Sequence, residues 1–154
     1  QHSLNSSLLH LEHRDTRVHL IDTPGSPDFL GQALAALDAV ETAAIVINAQ
    51  NGIELATSRM MQWAVKRKLC RLIIVNRIDA ENVDLAGLLD RIKQTFGKEC
   101  IALNLPSGGG ARVVDCFFTP AGESDFSSVA QTHQHLIDQV VEVDEELMAL
   151  YLEQ

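Results

Sequence analysis

The stretch that decides the fold is VHLIDTPG, residues 18–25, in which an apolar run ends at an aspartate and a turn. A second apolar run ends in the same manner in LIIVNRID, residues 72–79. Apolar runs of this length that alternate with helical patterns are typical of buried strands in a parallel sheet covered on both faces. In such sheets ligands collect beyond the carboxyl ends of the strands. The sequence therefore predicts an α/β fold in which both turns lie at one rim of the sheet.

The first turn, Asp22-Thr23-Pro24-Gly25, is called the DTPG turn below. Its carboxylate is suited to holding Mg²⁺ through water, because that ion keeps much of its hydration shell. Gly25 has no side chain, so a phosphate oxygen can approach its amide closely. An ordinary strand-to-helix turn with a capping aspartate is the alternative, and this motif alone does not separate the two.

The second turn, residues 76–79, is called the NRID turn. The amide of Asn76 can bond the O6/N7 edge of guanine, and Asp79 can accept from N1–H and the 2-amino group. Adenine would leave such an acceptor unpaired, at a cost of about 1–3 kcal/mol. Arg77 is a long cation able to lie over the plane of a base. Taken alone, this pattern is equally compatible with a turn that binds nothing.

None of the nine glycines of the chain belongs to a phosphate-binding loop of the form GxxxxGK(S/T). Gly97-Lys98 is followed by Glu99, and Ile92 occupies the position of the first glycine. Residues 106–110, PSGGG, precede no helix signal and are predicted to form a flexible link. We therefore expect this chain to be a piece of a longer nucleotide-binding protein, and to bind nucleotide poorly by itself.

Composition indicates a globular domain with one core: 154 residues, of which 46% are hydrophobic. No apolar run approaches the roughly 20 residues that span a bilayer, and no signal-peptide pattern opens the chain, so a cytoplasmic location is predicted. The net charge of −9 argues against autonomous nucleic-acid binding. The basic cluster of Lys66, Arg67, Lys68 and Arg71 is interpreted as a helix end, with an RNA contact as the alternative.

The three cysteines lack CxxC spacing and are interpreted as buried thiols. Of the six histidines, those near the start of the chain are better explained as solvated hairpin positions, and no cysteine or carboxylate spacing completes a tetrahedral metal site. The remaining pattern predicts two extended segments, 4–12 and 17–21, which the polar residues 13–16 would join as a hairpin. Ser26 is predicted to cap a helix at 27–38, and Asn51-Gly52 to form a turn. Further strands are predicted at 43–47, 71–75, 100–105 and 112–118, further helices at 55–68 and 84–97, and one terminal helix with Leu136, Val140, Val143, Leu147 and Leu150 on one side.

Together, and with strand, helix and strand between them, the two turns resemble the central part of the G domain of a translational GTPase of the elongation factor G family. Residues 18–29 resemble the family's second switch, DTPGxxDF. The NRID turn resembles the family's base-reading motif, NKxD, with Arg77 in place of the usual lysine. Residues 103–117 resemble the insertion peculiar to these factors, and residues 140–153 the long helix that closes it. The resemblance covers nearly the whole chain.

This resemblance implies an incomplete P-loop NTPase-type G domain: a three-layer α/β sandwich with a mostly parallel sheet and a small α+β insertion. Residues 1–104 would form the partial GTP-binding domain without its phosphate loop, and residues 105–154 the insertion with a long C-terminal helix. GTP or GDP with Mg²⁺ would be the cofactors. The ribosome would be a partner of the full-length protein, and no membrane would be involved.

The resemblance also implies roles for particular residues. The residues expected to contact the nucleotide are Asp22, Thr23, Pro24, Gly25, Asn76, Arg77 and Asp79. Mg²⁺ would be held through water by Asp22 and by the hydroxyl of Ser3, which would belong to the first switch. Ser26 departs from the pattern, because elongation factor G carries there the histidine that orients the attacking water. A hydroxyl cannot take the protonation states of imidazole near neutral pH. Paralogues called elongation factor G-like proteins vary this position too.

We therefore expect a parent protein that binds and hydrolyses GTP to drive a ribosome-linked step of translation, and an isolated fragment that is inactive. Ser26 motivates the alternative of a non-hydrolysing nucleotide-binding, ribosome-interaction or regulatory module. A third possibility is a doubly wound domain that binds some other ligand.

Overall fold

The computed structural model describes residues 3–152 of the chain. The chain divides into two compact units. The first unit comprises the chain up to Ile47 together with Ile53–Ile74, and the second comprises Asn48–Gly52 together with the chain from Val75 onward. The DTPG turn belongs to the first unit and the NRID turn to the second. The sequence-based boundary between residues 104 and 105 stays a prediction, as does the common rim for the two turns.

The first unit begins with the predicted hairpin. Strands β1, Ser7–His13, and β2, Thr16–Asp22, pair antiparallel from Ser7 opposite Asp22 to His13 opposite Thr16. The two residues between them, Arg14 and Asp15, have φ angles of 46° and 59°. Two left-handed residues in a two-residue loop match the right-handed twist of the paired strands. The hairpin is confirmed, and its register places Asp22 at the end opposite the turn.

The segment after the DTPG turn differs from the single helix predicted for residues 27–38. It consists of a 3₁₀ turn at Pro27–Phe29, helix α1 at Leu30–Ala36 and a second 3₁₀ turn at Leu37–Ala39. Neither the 3₁₀ turns nor α1 has a side-chain cap at its start. A short alanine-rich helix without caps gains little from propensity alone, which accounts for the tighter turns at both ends.

The rest of the first unit is most of a β–α–β arrangement: strand β3, Thr42–Asn48, helix α2, Leu55–Lys66, and strand β4, Cys70–Asn76. The last residues of the two strands, Asn48 and residues 75–76, belong to the second unit. The N–H of Cys70 donates to Glu41 O at the start of the pair, and the N–H of Ala49 donates to Asn76 O at its end, so β3 and β4 run parallel. Residues alternate along β3 between buried and exposed. The buried side packs into a cluster with the helices: Leu37, Ala43 and Ala64, flanked by Leu34, Met60, Trp63 and Leu69. The other side, predicted to be covered as well, is exposed in the described residues, with Val46 58% exposed.

Helix α2 ends at Lys66, two residues before the predicted end. Lys68 adopts a left-handed φ of 56°, and the next N–H, of Leu69, donates to Ala64 O. The basic cluster is engaged within the unit: Lys66 Nζ and the Arg67 guanidinium lie 5.3 and 5.0 Å from the ring centre of Trp63. Arg67 also pairs with Asp38. These contacts support the structural interpretation of Lys66 and Arg67 over an RNA contact.

In the second unit, helix α3 spans Leu85–Phe96, with both predicted ends confirmed. The carboxylate of Asp84 accepts from Gly87 N at 2.9 Å, and Gly97 follows the helix with a φ of 122°. The segment after α3, predicted to be the insertion, contains an antiparallel pair, β5 at Asn104–Ser107 and β6 at Arg112–Asp115, followed by helix α4 at Val129–Val141. Its core consists of Leu105, Cys116, Val129 and Leu136.

Four predictions for this unit are wrong in detail. The strand predicted at 100–105 lies at Asn104–Ser107, and residues 106–110 are part of a tight hairpin instead of a flexible link. The strand predicted at 112–118 ends at Asp115, whose carboxylate accepts from Phe117 N and Phe118 N and bends the chain. The long terminal helix is interrupted: a separate helix α5, Glu145–Leu152, begins where Asp144 accepts from Glu146 N and Leu147 N. Short acidic side chains that bond nearby amides compete with the regular ladders, and hydrophobic periodicity does not register that competition.

The α/β class is as predicted, with its sheets reduced in residues 3–152 to three pairs of strands: β1–β2, β3–β4 and β5–β6. None of the helices in this part of the chain has the length and apolar character needed to cross a membrane.

Candidate functional site

The DTPG turn follows directly from the end of β2. Asp22 is the last residue of that strand and is exposed, whereas Pro24 is buried beneath the turn. Gly25 has neither of the usual structural reasons to be glycine. Its φ lies outside the left-handed region, and an added Cβ would meet nothing within 4 Å. A glycine that the fold itself does not require is consistent with close approach of a ligand to the backbone.

Ser26 occupies the N-cap position of the first 3₁₀ turn, with φ −70° and ψ 138°. Its carbonyl accepts from Phe29 N at 3.0 Å, but its hydroxyl makes no capping bond, which corrects the predicted side-chain cap. The backbone alone therefore closes this turn, and the hydroxyl is not committed to it. Ser3, the predicted second magnesium ligand, is exposed. Within residues 3–152, no group of three or more His, Cys, Asp or Glu side chains could hold a metal ion.

The NRID turn has a definite conformation. The Oδ1 of Asn76 accepts from Arg77 N at 2.8 Å, which leaves Nδ2 as the donor end of the side chain. Arg77 has a left-handed φ of 57°, and its carbonyl accepts from Ala80 N at 3.2 Å. Non-glycine residues in this region are strained, and they concentrate at functional sites. Asp79 is exposed, and its carboxylate has no hydrogen bond or ion pair with any other described residue.

A loop that sequence reasoning did not connect with the site lies beside this turn. In Asn48–Gly52, the carbonyl of Asn48 accepts from Asn51 N at 3.2 Å and from Gly52 N at 2.9 Å. The amide of Ala49 donates to Asn76 O at 2.9 Å. The sequence signal for the loop was Asn51-Gly52, correctly predicted as a turn, but its contact with residue 76 depends on strand pairing that no local pattern encodes.

A second segment that lies next to the NRID turn was also not predicted from the sequence. The β5–β6 hairpin closes through Gly108, Gly109 and Gly110, called the three-glycine turn below, all with left-handed φ angles between 65° and 79°. The amides of Gly109 and Gly110 donate to the two oxygens of Asp125, at 3.0 and 2.9 Å. An added Cβ at Gly110 would lie 2.4 Å from the carbonyl oxygen of Ile78, inside the NRID turn. The sequence signal for this hairpin was the β-strand pattern on both sides of the three glycines, which favours a hairpin over a flexible link.

Comparison with known proteins identifies the family. The sequence profile described as "Elongation factor Tu GTP binding domain" matches residues 1–149. The chain is 37% identical over 110 residues to peptide chain release factor 3 of Nitrosomonas europaea, an alignment that covers 71% of this chain and 21% of that protein. It is 28% identical over 163 residues to an elongation factor G-like protein of Thermotoga maritima, covering 98% of this chain and 24% of that protein.

The comparison with solved structures agrees with the sequence comparisons. The crystal structure of ttk003000868 from Thermus thermophilus superposes with a TM-score of 0.82 at 27% identity, covering 99% of this chain and 25% of that one. The chain therefore belongs to the elongation factor Tu GTP-binding domain family. Within that family, the resemblance to elongation factor G-like proteins is confirmed over almost its whole length. The chain spans about a fifth to a quarter of the length of these relatives.

Proposed function

We propose that this chain is the part of a translational GTPase in which the NRID turn reads the guanine base. The observation that carries the proposal is the state of the turn. Asn76 is oriented by its own bond to Arg77 N, and Asp79 has no partner among the described residues. A donor amide and an acceptor carboxylate, three positions apart on one strained turn, match the acceptor edge and the donor edge of guanine. The family assignment supports the same ligand class.

The selectivity for guanine over adenine follows from the hydrogen bonds that the base can make with Asp79. Guanine presents N1–H and a 2-amino group to the Asp79 carboxylate, whereas adenine presents a ring nitrogen acceptor at that place. A charge-assisted bond would be replaced by an unpaired carboxylate, so adenine nucleotides are rejected. The planar guanidinium of Arg77 would lie over the base. Unlike the ammonium of lysine, it can stack on the ring in addition to attracting it electrostatically.

The DTPG turn would serve the phosphate end of the nucleotide. Asp22 offers a carboxylate and Ser3 a hydroxyl, both hard oxygen donors suited to Mg²⁺, and the carboxylate of Asp22 makes no ion pair in residues 3–152. Bound Mg²⁺ would supply charge neutralisation at the phosphates. Thr23 and Pro24 would set the backbone of the turn, and Gly25 would offer its amide to a terminal phosphate oxygen.

The full-length protein would then hydrolyse GTP in a ribosome-linked step of translation in the cytoplasm, with the ribosome as its partner, in line with relatives named as a release factor and an elongation factor G-like protein. Ser26 favours a second candidate, a nucleotide-binding or regulatory module that does not hydrolyse. Its hydroxyl lies where the family resemblance places a histidine, and no described contact raises its basicity.

The test is competition for a fluorescent GDP analogue bound to the full-length protein. GDP should displace it at far lower concentration than ADP. Asp79→Asn should shift preference from GDP to XDP by about tenfold or more, because the new amide donates to the 2-oxo group of xanthine. Glu81→Gln, which removes a neighbouring exposed charge, is the matched control and should leave the order unchanged. A wild-type protein that binds ADP as well as GDP would overturn the proposal.

A further inference from the structure

The three-glycine turn is held by a single carboxylate. Asp125 bonds two consecutive amides, those of Gly109 and Gly110, with separate oxygens, and its own N–H donates to Pro106 O at 2.8 Å. Consecutive amides in left-handed backbone form a concave nest for an anion, and here the anion comes from the same chain. The loop between β5 and β6 is thus fixed in conformation although it contains three glycines in a row.

Only one of these glycines touches the NRID turn. A Cβ at Gly110 would lie 2.4 Å from Ile78 O, 2.8 Å from its carbonyl carbon and 3.1 Å from Asp79 N. All three atoms are backbone, so no side chain can move aside to make room. At Gly108 and Gly109, with φ of 65° and 67°, an added Cβ would meet nothing within 4 Å. The close approach is therefore specific to Gly110.

The NRID turn is consequently held from two sides. At its start, Ala49 N donates to Asn76 O, and in its middle, the Gly110 backbone lies so close to the peptide between Ile78 and Asp79 that no Cβ fits between them. Between these two supports lies Arg77, with its unfavourable left-handed φ. A strained backbone persists only when its surroundings over-determine it.

We propose that Asp125 and Gly110 are positioning residues for guanine recognition. Asp125 fixes the three-glycine turn, and Gly110 then sets the peptide that precedes Asp79, so that the Asp79 carboxylate keeps its spacing from the Asn76 amide. The inference rests on the proposed function of the NRID turn. It assigns the inserted hairpin a part in base selectivity in addition to its own fold.

The experiment compares Gly110→Ala with Gly108→Ala in the full-length protein. Both variants place alanine in left-handed backbone, but only the first meets the NRID turn. The readout is the ratio of Kd for GDP and IDP, because inosine lacks the 2-amino group that Asp79 would read while keeping the same phosphates. Gly110→Ala should reduce the preference for GDP about tenfold, equivalent to about 1.4 kcal/mol. Gly108→Ala should stay within about twofold.

Amide hydrogen exchange by mass spectrometry supplies the independent arm. Peptides covering residues 76–80 should exchange faster in Gly110→Ala than in Gly108→Ala, whether or not nucleotide is added. Asp125→Ala should reproduce the loss of GDP preference, and Asp125→Asn should restore part of it, since the amide keeps one acceptor oxygen.

The outcomes separate the two proposals. If the wild type fails to prefer GDP over ADP, the function proposed for the NRID turn is overturned, and this inference with it. If the wild type does prefer GDP but Gly110→Ala matches Gly108→Ala, or weakens GDP and IDP equally, only the positioning role is overturned. Unchanged exchange at residues 76–80 in Gly110→Ala would likewise contradict it.

Discussion

The main-chain amide of Ala49 donates a 2.9 Å hydrogen bond to the carbonyl of Asn76. This bond joins the first residue after β3 to the last residue of β4, which is also the first residue of the NRID turn. Ala49, the donor residue, is itself buried. The position of the Asn76 side chain is thereby coupled to the parallel pair of strands.

Asn76 has two separable roles, and two variants distinguish them. Asn76→Asp keeps an acceptor for Arg77 N but removes the amide donor, so it should weaken GDP binding at least about tenfold without disturbing the turn. Asn76→Ala removes both, and residues 76–80 should also exchange amide hydrogens faster. Isothermal calorimetry and hydrogen exchange measure the two effects. Equal exchange in both variants would show that the 2.8 Å bond to Arg77 N does not hold the turn.

Ser26→His should raise single-turnover GTP hydrolysis on ribosomes by about tenfold or more if the rest of the machinery is intact. The backbone bond from Phe29 N to Ser26 O does not depend on the side chain, so the turn should survive the change. A new pH dependence near the ordinary imidazole pKa of about 6.5 should accompany the gain. Ser26→Ala is the control and should match the wild type. Normal GTP binding with no gain from histidine would favour the non-hydrolysing module.

Leu105 tests the core of the insertion. It is 1% exposed on β5, whereas Val113 on β6 is 57% exposed. Leu105→Ala should cost about 2–5 kcal/mol in the free energy of unfolding, because it leaves a cavity among Cys116, Val129 and Leu136. Val113→Ala should cost no more than about 0.5 kcal/mol. Urea titration monitored by circular dichroism gives both values, and equal losses would contradict the assignment of this core.

The pair formed by Asp38 and Arg67 predicts a pH dependence of stability. The hydrogen bond from the Arg67 guanidinium lowers the pKa of Asp38 below its usual value of 3.8. A carboxyl whose pKa is depressed in the folded state stabilises it above the unfolded-state pKa and loses that contribution as pH falls through the folded-state pKa. The stability difference between wild type and Asp38→Asn should therefore be present at neutral pH and disappear below pH 3.8. Asp90→Asn, an exposed residue without an ion pair in residues 3–152, should show no such loss.

How much the sequence predicts depends on whether a feature is local. The hairpin of β1 and β2 and both ends of α3 were predictable, because the turn residues and the Asp84 cap act within a few positions. The NRID turn was predictable as well, since it follows directly from an apolar strand. The chemistry expected at Asp22 and at Asn76 and Asp79 stays a prediction, drawn from residue types rather than from tertiary contacts.

The errors have the opposite origin. The three-glycine run looked like a link because glycine permits many conformations, and only Asp125, fifteen positions after Gly110, selects one of them. The terminal helix looked continuous because its hydrophobic spacing carries across the interruption that Asp144 creates. Support of the NRID turn by Ala49 and Gly110 joins residues distant in sequence, which no periodicity reports.

Gly25 and Gly110 show that the same residue type can be retained for opposite reasons. The fold leaves no room for a Cβ at Gly110, whereas a Cβ at Gly25 would meet no atom of the described residues within 4 Å. Alanine at position 25 should accordingly leave an intact scaffold and obstruct only an incoming phosphate group. Gly25→Ala is thus expected to give a correctly folded but unresponsive form of this domain, whereas Gly110→Ala is expected to change the conformation of the NRID turn.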